Sequence, residues 1–351
     1  MSVPDYVAIG RGIVADLPDL LDRRDASGNV FLIADRNVGG LYGAATRQSL
    51  EAAGRQVSYQ EIAPGETAKA LTQTSTLYDW LLAEGAERGD LIIALGGGVV
   101  GDLVGFVAAT YMRGVKWAQI ATSLLAQVDS SIGGKVGVDL PGGKNLVGAF
   151  YAPVLSLLDA DLLLSLPPRQ LACGWAEVIK HGVILDCQFF ELLEARFDDP
   201  AEPDLLLAAV RRCVEIKAAV VADDPLDRGF RAVLNYGHTI AHAIEACTGY
   251  QRYTHGETVA IGMSGAAAIS RRLGLIEPAV ERRQNDLLAR AGLPSRYTGA
   301  APEDILEAMT RDKKAFRGRP RWVLIEGLGE ATVGSEVDLE IVRSVVSDLH
   351  E

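Results

Sequence analysis

An α/β half built on a parallel-type sheet, followed by a mainly α-helical half, is the fold class this sequence predicts. Three observations carry it. Over the first 160 residues, short β-branched or apolar runs alternate with amphipathic, alanine-rich stretches, and such alternation implies a mostly parallel sheet. From about Asp161 helical periodicity takes over, with few strand signals until residues 321–325. The chain's 351 residues also exceed the roughly 250–300 at which single cores stop growing. Two domains follow: residues 1–160, of nucleotide-binding α/β type, and residues 161–351, helical.

In the first half, residues 30–34 (VFLIA), 91–95 (LIIAL) and 117–121 (WAQIA) read as strands. Each lacks the polar–apolar alternation of a half-exposed strand, as expected for a sheet covered on both faces. Helical segments such as residues 73–85 lie between them. In the second half, residues 171–185, 204–222, 231–247 and 257–273 carry helical periodicity, punctuated by Pro167-Pro168 and the acidic stretch 198–204. No repeat or low-complexity tract is evident.

Composition narrows the function. Hydrophobic residues make up 48% and charged residues 23% of the chain, a globular balance. A formal charge of −12 argues against a general nucleic-acid or anionic-membrane binder. No apolar run approaches the roughly 20 residues that span a bilayer, and Met1-Ser2-Val3-Pro4-Asp5 lacks the form of a signal peptide. A cytoplasmic setting is expected. Cys173, Cys187, Cys213 and Cys247 show no CxxC spacing, so neither a zinc knuckle nor a redox pair is indicated.

Three of the five histidines (His238, His242 and His255) fall within eighteen residues. Histidine is the commonest metal ligand and titrates nearest neutral pH. His238 and His242 are four apart, so on a helix they share a face and offer paired nitrogens to a divalent cation. A second signal lies upstream, where strand 91–95 runs straight into Gly96-Gly97-Gly98-Val99-Val100-Gly101-Asp102. Glycines there let backbone approach a pyrophosphate at a helix N-terminus. The next strand ends in Ala121-Thr122-Ser123 rather than an acid, and Asp35, ending the earlier strand, could bind a ribose instead. A third signal is a cationic island. Arg113, Lys116, Lys135 and Lys144 face only Asp129 and Asp139 between residues 103 and 158, with glycines beside both Lys135 and Lys144. Such lysines suit phosphate or carboxylate recognition. Lys180, Lys217, Arg231 and the pair Lys313-Lys314 extend the theme. Together these features point to a small anionic metabolite.

The ordered motifs resemble the 3-dehydroquinate synthase family. They are GGGVVGD at 96–102, ATYMRG at 109–114, LLAQVDSSIGGK at 124–135, GKNLVGAF at 143–150, AEVIK at 176–180, LNYGHTIAHAIE at 234–245, HGE at 255–257 and DKK at 312–314. The resemblance spans about residues 30 to 327. It implies a dehydroquinate synthase-like fold and an NAD- and zinc- or cobalt-dependent lyase. Such an enzyme converts 3-deoxy-D-arabino-heptulosonate 7-phosphate (DAHP) to 3-dehydroquinate and phosphate in the shikimate pathway. The implied chemistry is transient oxidation, phosphate elimination, reduction, ring opening and intramolecular aldol closure.

Residue by residue, the resemblance implies that Glu177, His238 and His255 hold the metal, leaving an open position for substrate oxygen. His242 then moves from metal ligand to a contact near the leaving phosphate. Lys135, Asn145, Asn235 and one of Lys313 and Lys314 are implied to hold that phosphate. Lys217 and Arg231 are implied to grip the substrate carboxylate, and Asp129 and Lys180 to touch sugar hydroxyls. Arg113 is implied to reach a partner subunit's site, hence a homodimer. The implied NAD contacts are Asp35, Gly65, Glu66, Lys69, Gly97, Gly98, Val99, Val100, Gly101, Asp102, Thr122, Ser123, Lys135, Lys144 and Ser165. Ser123 and Ser165 replace the usual threonine, Gln170 a common glutamate and Ala241 a common glycine. Asp227 stands where the family usually has glutamate, one methylene shorter. A sibling cyclase is the nearest competing reading. Lys217 with Arg231 disfavours valiolone- and inosose-type substrates, which lack a carboxylate, but leaves an aminodehydroquinate synthase open. A metal-dependent polyol dehydrogenase fits the phosphate-binding cations less well.

Overall fold

The computed structural model describes residues 3–311 and 322–351. Lys313 and Lys314 therefore lie outside the described residues. The chain divides into two compact units: residues up to Leu166 together with Leu206–Ala218, and Pro167–Leu205 together with Ala219–Glu351.

The first unit is built on a six-stranded sheet. Its strands are β1 (Val7–Gly10), β2 (Val30–Asp35), β3 (Val57–Ile62), β4 (Leu91–Gly96), β5 (Lys116–Ala121) and β8 (Leu155–Asp159). Their order is β1-β8-β5-β4-β2-β3 and every pairing is parallel. Alternate residues of the central strands enter opposite cores. Phe31, Ile33, Ile92, Ala94 and Trp117 pack with Leu77, Leu81 and Leu103 on one face. Val30, Leu32, Ala34, Leu91, Ile93 and Leu95 pack with Leu17, Leu21 and Leu50 on the other. Covering both faces is what makes these strands uniformly apolar. Each fully buried Leu or Ile contributes about 1.5–3 kcal/mol.

A hairpin, β6 (Lys135–Leu140) with β7 (Gly143–Phe150), completes this unit. Its segments carry the glycine-flanked lysines that sequence alone presents as turns. The glycines sit mostly within or beside paired strands, where Gly137 faces Gly148.

The second unit is helical. It contains the helices Pro168–Leu185, Cys187–Arg196, His238–Cys247, His255–Arg272, Pro278–Arg290, Pro302–Arg311 and Leu339–Asp348, with one antiparallel pair, β9 (Trp322–Gly327) and β10 (Glu330–Ser335). Ile240, Ile244, Ile261, Ile269, Trp322, Leu324 and Val345 share its core. No helix among the described residues is long and apolar enough to cross a membrane.

One expected element is divided. The periodicity over 231–247 suggests a single helix, but the chain forms a tight turn at Phe230–Asn235 and restarts a helix only at His238. Gly237, at φ 79°, makes the break. A side chain there would be strained by that φ, and its Cβ would meet Met263 N at 2.7 Å. The interruption puts His238 at the first turn of a new helix.

Candidate active site

The C-terminal edge of the parallel sheet gathers the glycine turn. In an open α/β sheet, ligands bind outside the carboxyl ends of strands where the strand order reverses. Here the order turns between β2 and β4, because the chain passes from β2 outward to β3 and then from β4 the other way to β5. Ala34 pairs with Leu95, so Asp35 leaves the sheet beside the Gly96-Gly97-Gly98 turn. Gly97 caps the Gly98–Thr110 helix, and Thr122 N donates to Gly96 O at 3.0 Å. Asp35, Gly97, Gly98, Thr122 and Ser123 thus line one sheet edge. Asp35 caps its own short turn, accepting from Asn37 N at 2.9 Å and Val38 N at 3.2 Å. Gly101 does a different job from Gly97 and Gly98. A Cβ on it would lie 2.2 Å from Gln119 Nε2 on β5, so this glycine lets the helix pack on the sheet.

Lys69 is the polar centre of this unit. Buried, it donates to Asp102 Oδ2 at 2.5 Å and Asn145 Oδ1 at 2.5 Å, joining the glycine-turn helix to the β6–β7 hairpin. Burial pushes its ammonium down, but Asp102 and Glu66 outweigh that and hold it above its ordinary value. Lys144 stands 3.5 Å from Glu66, and Lys135 opens β6. Ser165 accepts from the Tyr42 hydroxyl at 2.7 Å. Val99 and Val100 lie in the first turn of the Gly98–Thr110 helix. Lys217 Nζ donates to Asp129 O and Oδ1, both at 2.6 Å, so the expected carboxylate-gripping and hydroxyl-touching residues form an ion pair here. Left-handed backbone occurs at Arg113 (φ 65°), Asn145 (φ 53°) and Asp227 (φ 55°). All three are expected site residues, and backbone strain of this kind gathers at functional positions.

In the second unit three helices converge. Glu177 sits within the Pro168–Leu185 helix, while His238 and His255 each begin a helix. Their ligand atoms all lie within 4.8 Å of one another. Nε2 of His238 is 3.7 Å, and Nε2 of His255 3.6 Å, from Glu177 Oε1. The edges of a tetrahedral zinc site with bonds of about 2.0–2.1 Å are about 3.3 Å, close to these separations.

The donor chemistry also fits a cation. Glu177 is 1% exposed, and neither carboxylate oxygen has a hydrogen bond of proper geometry. Lys180 makes an ion pair with Oε2 and also donates to Leu234 O at 2.6 Å. A buried carboxylate without hydrogen bonds asks for an explanation, and a divalent ion supplies one. Burial raises the Glu177 carboxyl, but Lys180 and the two imidazoles outweigh it and hold the group well below its ordinary value. Burial, reinforced by Lys180, pushes His238 well down, which suits a neutral ligand. For His255 burial acts downward but yields to the nearby Glu177 and Glu245 carboxylates, so it is held well up.

Each ring is fixed through its other nitrogen, as metal-ligating histidines usually are. His238 Nδ1 donates to Tyr236 O at 3.0 Å, and His255 Nδ1 lies 3.0 Å from Glu245 Oε1. His242 belongs to the neighbourhood but not to the cluster: its ring stands edge-on to His238, centroids 5.4 Å apart. Arg231 is buried and donates to Pro225 O at 3.0 Å, and Asn235 Nδ2 donates to Ala232 O at 3.1 Å.

Backbone contact sets the helix spacing. Gly256, next to His255, lies against the Pro168–Leu185 helix so closely that a Cβ would fall 2.1 Å from Cys173 O. Gly256 N donates to Cys173 Sγ at 3.2 Å. Arg169 adds a bidentate clamp, with Nε 2.7 Å and Nη2 2.8 Å from the Glu257 carboxylate. Thr254 and Glu257 form a capping box. That T-x-x-E spacing is readable in sequence and starts a helix at His255. The parts played by Glu245, Cys173 and Arg169 have no comparable signal.

A parallel-sheet unit followed by a helical unit is a fold shared with solved NAD- and metal-bound cyclases and, at lower identity, with reductases. Two solved cyclases superpose over nearly the whole chain. One is 2-epi-5-epi-valiolone synthase from Streptomyces hygroscopicus subsp. jinggangensis 5008 with NAD+ and Zn2+ bound, at TM-score 0.91 and 26% identity, covering 99% of this chain and 97% of that one. The other is 2-deoxy-scyllo-inosose synthase complexed with carbaglucose-6-phosphate, NAD+ and Co2+, at TM-score 0.89 and 27% identity, covering 97% and 96%. The maleylacetate reductase of Agrobacterium tumefaciens, at TM-score 0.70 and 16% identity, shares the fold alone.

Sequence comparison narrows the class. Residues 59–173 match the 3-dehydroquinate synthase N-terminal model and residues 174–315 the C-terminal model. The 3-dehydroquinate synthase of Symbiobacterium thermophilum (strain DSM 24528 / JCM 14929 / IAM 14863 / T) is 45% identical over 342 residues, covering 96% of this chain and 95% of that protein. The chain belongs to the 3-dehydroquinate synthase family.

Proposed function

We propose that this chain converts DAHP to 3-dehydroquinate and phosphate, with NAD bound at the sheet edge and Zn2+ or Co2+ held by Glu177, His238 and His255. The observation that carries the reading is the Glu177 carboxylate, buried without a hydrogen bond and facing two imidazole Nε2 atoms, in a chain of this family. When bound, NAD supplies reversible oxidation of a substrate carbinol and the metal polarises substrate oxygen.

The chain's own residues then have separable tasks. Asp35 and the turn at Gly97 and Gly98 receive ribose and pyrophosphate, with Glu66, Lys69, Asp102, Thr122, Ser123 and Lys144 around them. Residues 1–160 thus act as the NAD-binding domain, and 161–351 as the metal- and substrate-binding domain. Lys217 and Arg231 supply positive charge for the substrate carboxylate, with Asp227 in the segment before Arg231. Lys135, Asn145, Asn235 and His242 hold the phosphate, and Asp129 and Lys180 orient hydroxyls. A ketone next to the reacting carbon acidifies its C–H, so the departing phosphate itself is base enough and no side chain need serve as sole general base.

The test is phosphate release from DAHP in step with dehydroquinate formation and without net NADH. It should be lost on chelation and restored by zinc or cobalt. Metal-loaded protein with NAD that releases no phosphate from DAHP refutes the reading. A homodimer completes the proposal, with exposed, left-handed Arg113 reaching the partner's site; a monomeric mass in solution refutes that part. Four cysteines, none in a disulfide, suit a reducing, cytoplasmic setting, and recovery from an oxidising compartment would count against it.

A further inference from the structure

The two histidines of the cluster are held by chemically different partners. His238 leans on a neutral backbone carbonyl, that of Tyr236. His255 leans on Glu245, a side chain only 4% exposed at the far end of the His238–Cys247 helix. We propose that Glu245 is the positioning residue for His255, fixing the ring so that Nε2 faces Glu177 and raising its strength as a metal ligand. The proposal rests on the reading of Glu177, His238 and His255 as metal ligands.

The geometry supports it at three points. A carboxylate accepts and cannot donate, so in the neutral ring that binds metal the 3.0 Å contact puts the proton on His255 Nδ1 and leaves the Nε2 lone pair for the ion. Glu245 Oε1 is itself located by the Thr258 hydroxyl at 3.1 Å, one turn along the helix that His255 begins. That hydroxyl is also 2.8 Å from His255 O, so its single proton serves one acceptor at a time and keeps both within reach. The link therefore runs from one helix to the next, and it orients the cluster's ring with the greater side-chain exposure, 31% against 12% for His238. A ring that open has less packing to orient it, so the hydrogen bond carries more of the task.

Removing partners of this kind typically costs 10- to 100-fold in metal affinity. The experiment titrates Co2+ into the metal-free full-length chain, following visible absorption, for the parent, Glu245→Gln and Thr258→Val. Glu245→Gln should raise the cobalt Kd by about tenfold or more and alter the absorption band, while the metal-free melting temperature stays near that of the parent. A Kd within threefold of the parent, with an unchanged band, overturns the proposal. If Glu245→Gln fails to fold by circular dichroism, Thr258→Val decides: weaker cobalt binding supports the proposal and unchanged binding overturns it. A parent chain that binds no cobalt refutes the metal reading itself, an outcome distinct from a parent that binds while the variants match it.

Discussion

Replacing Gly256 by alanine tests whether helix spacing sets the metal site. The added Cβ would sit 2.1 Å from Cys173 O and 2.6 Å from Cys173 Cα, both backbone atoms of the neighbouring helix. An ordinary contact is about 3.5 Å, so the His255–Arg272 helix must retreat by roughly an ångström at its first turn. Metal–ligand bonds tolerate about 0.2 Å. The metal-free protein can relax outward, whereas the loaded one must be drawn back against the clash. Overpacking strain of about 2–3 kcal/mol then appears wholly as lost affinity, roughly 30- to 150-fold in Kd. The assay is competition for Zn2+ with a chromophoric chelator, with Gly89→Ala as the control, since a Cβ there meets nothing within 4 Å. Binding by Gly256→Ala within threefold of the parent would show that this contact does not control the cluster.

Two other expectations follow from the second unit. His242→Ala should keep full metal content while slowing turnover, and His255→Ala should lose metal; elemental analysis giving the reverse order would restore the i,i+4 pair as the ligands. Glu257 provides a pH signature: burial raises its carboxyl, but Arg169 and the Thr254 backbone N–H outweigh this and hold it below the ordinary value. A lowered folded value means its stabilisation is present above the unfolded pKa of about 4.3 and is lost as pH falls through the lowered one. Because Arg169 is 58% exposed, the effect is discounted to about 1 kcal/mol, chiefly the cap. Glu257→Gln should therefore melt a few degrees below the parent at pH 7, and the gap should narrow in acid; a pH-independent gap would refute the assignment.

Sequence pattern located the sheet well because its central strands are buried on both faces. The runs at 30–34, 91–95 and 117–121 lie within β2, β4 and β5. Pattern could not place β1 or the β6–β7 hairpin, whose glycines read as turns until a partner strand is known. Periodicity also joined residues 231–247 across Gly237, because apolar spacing does not register one left-handed residue. At the site, His238 and His242 looked paired because helical spacing governs which side chains are neighbours, and they are neighbours. Which nitrogens reach the cluster depends on how Tyr236 O holds His238 and Glu245 holds His255, which no local pattern encodes. The resemblance named Glu177 and His255, and geometry groups these with His238.

The cluster draws on residues far apart along the chain, with Glu177 well before His238 and His255 shortly after it. An ion gripping all three is a three-way cross-link. Like other ties that close long loops, it removes conformations from the unfolded chain, and an ion that binds only the folded form adds stability that grows with its free concentration. If the cluster holds its metal as proposed, the helical unit's resistance to unfolding is tied to metal supply. Scarcity would thin the population of intact protein as well as slow each molecule, so abundance and turnover would fall together.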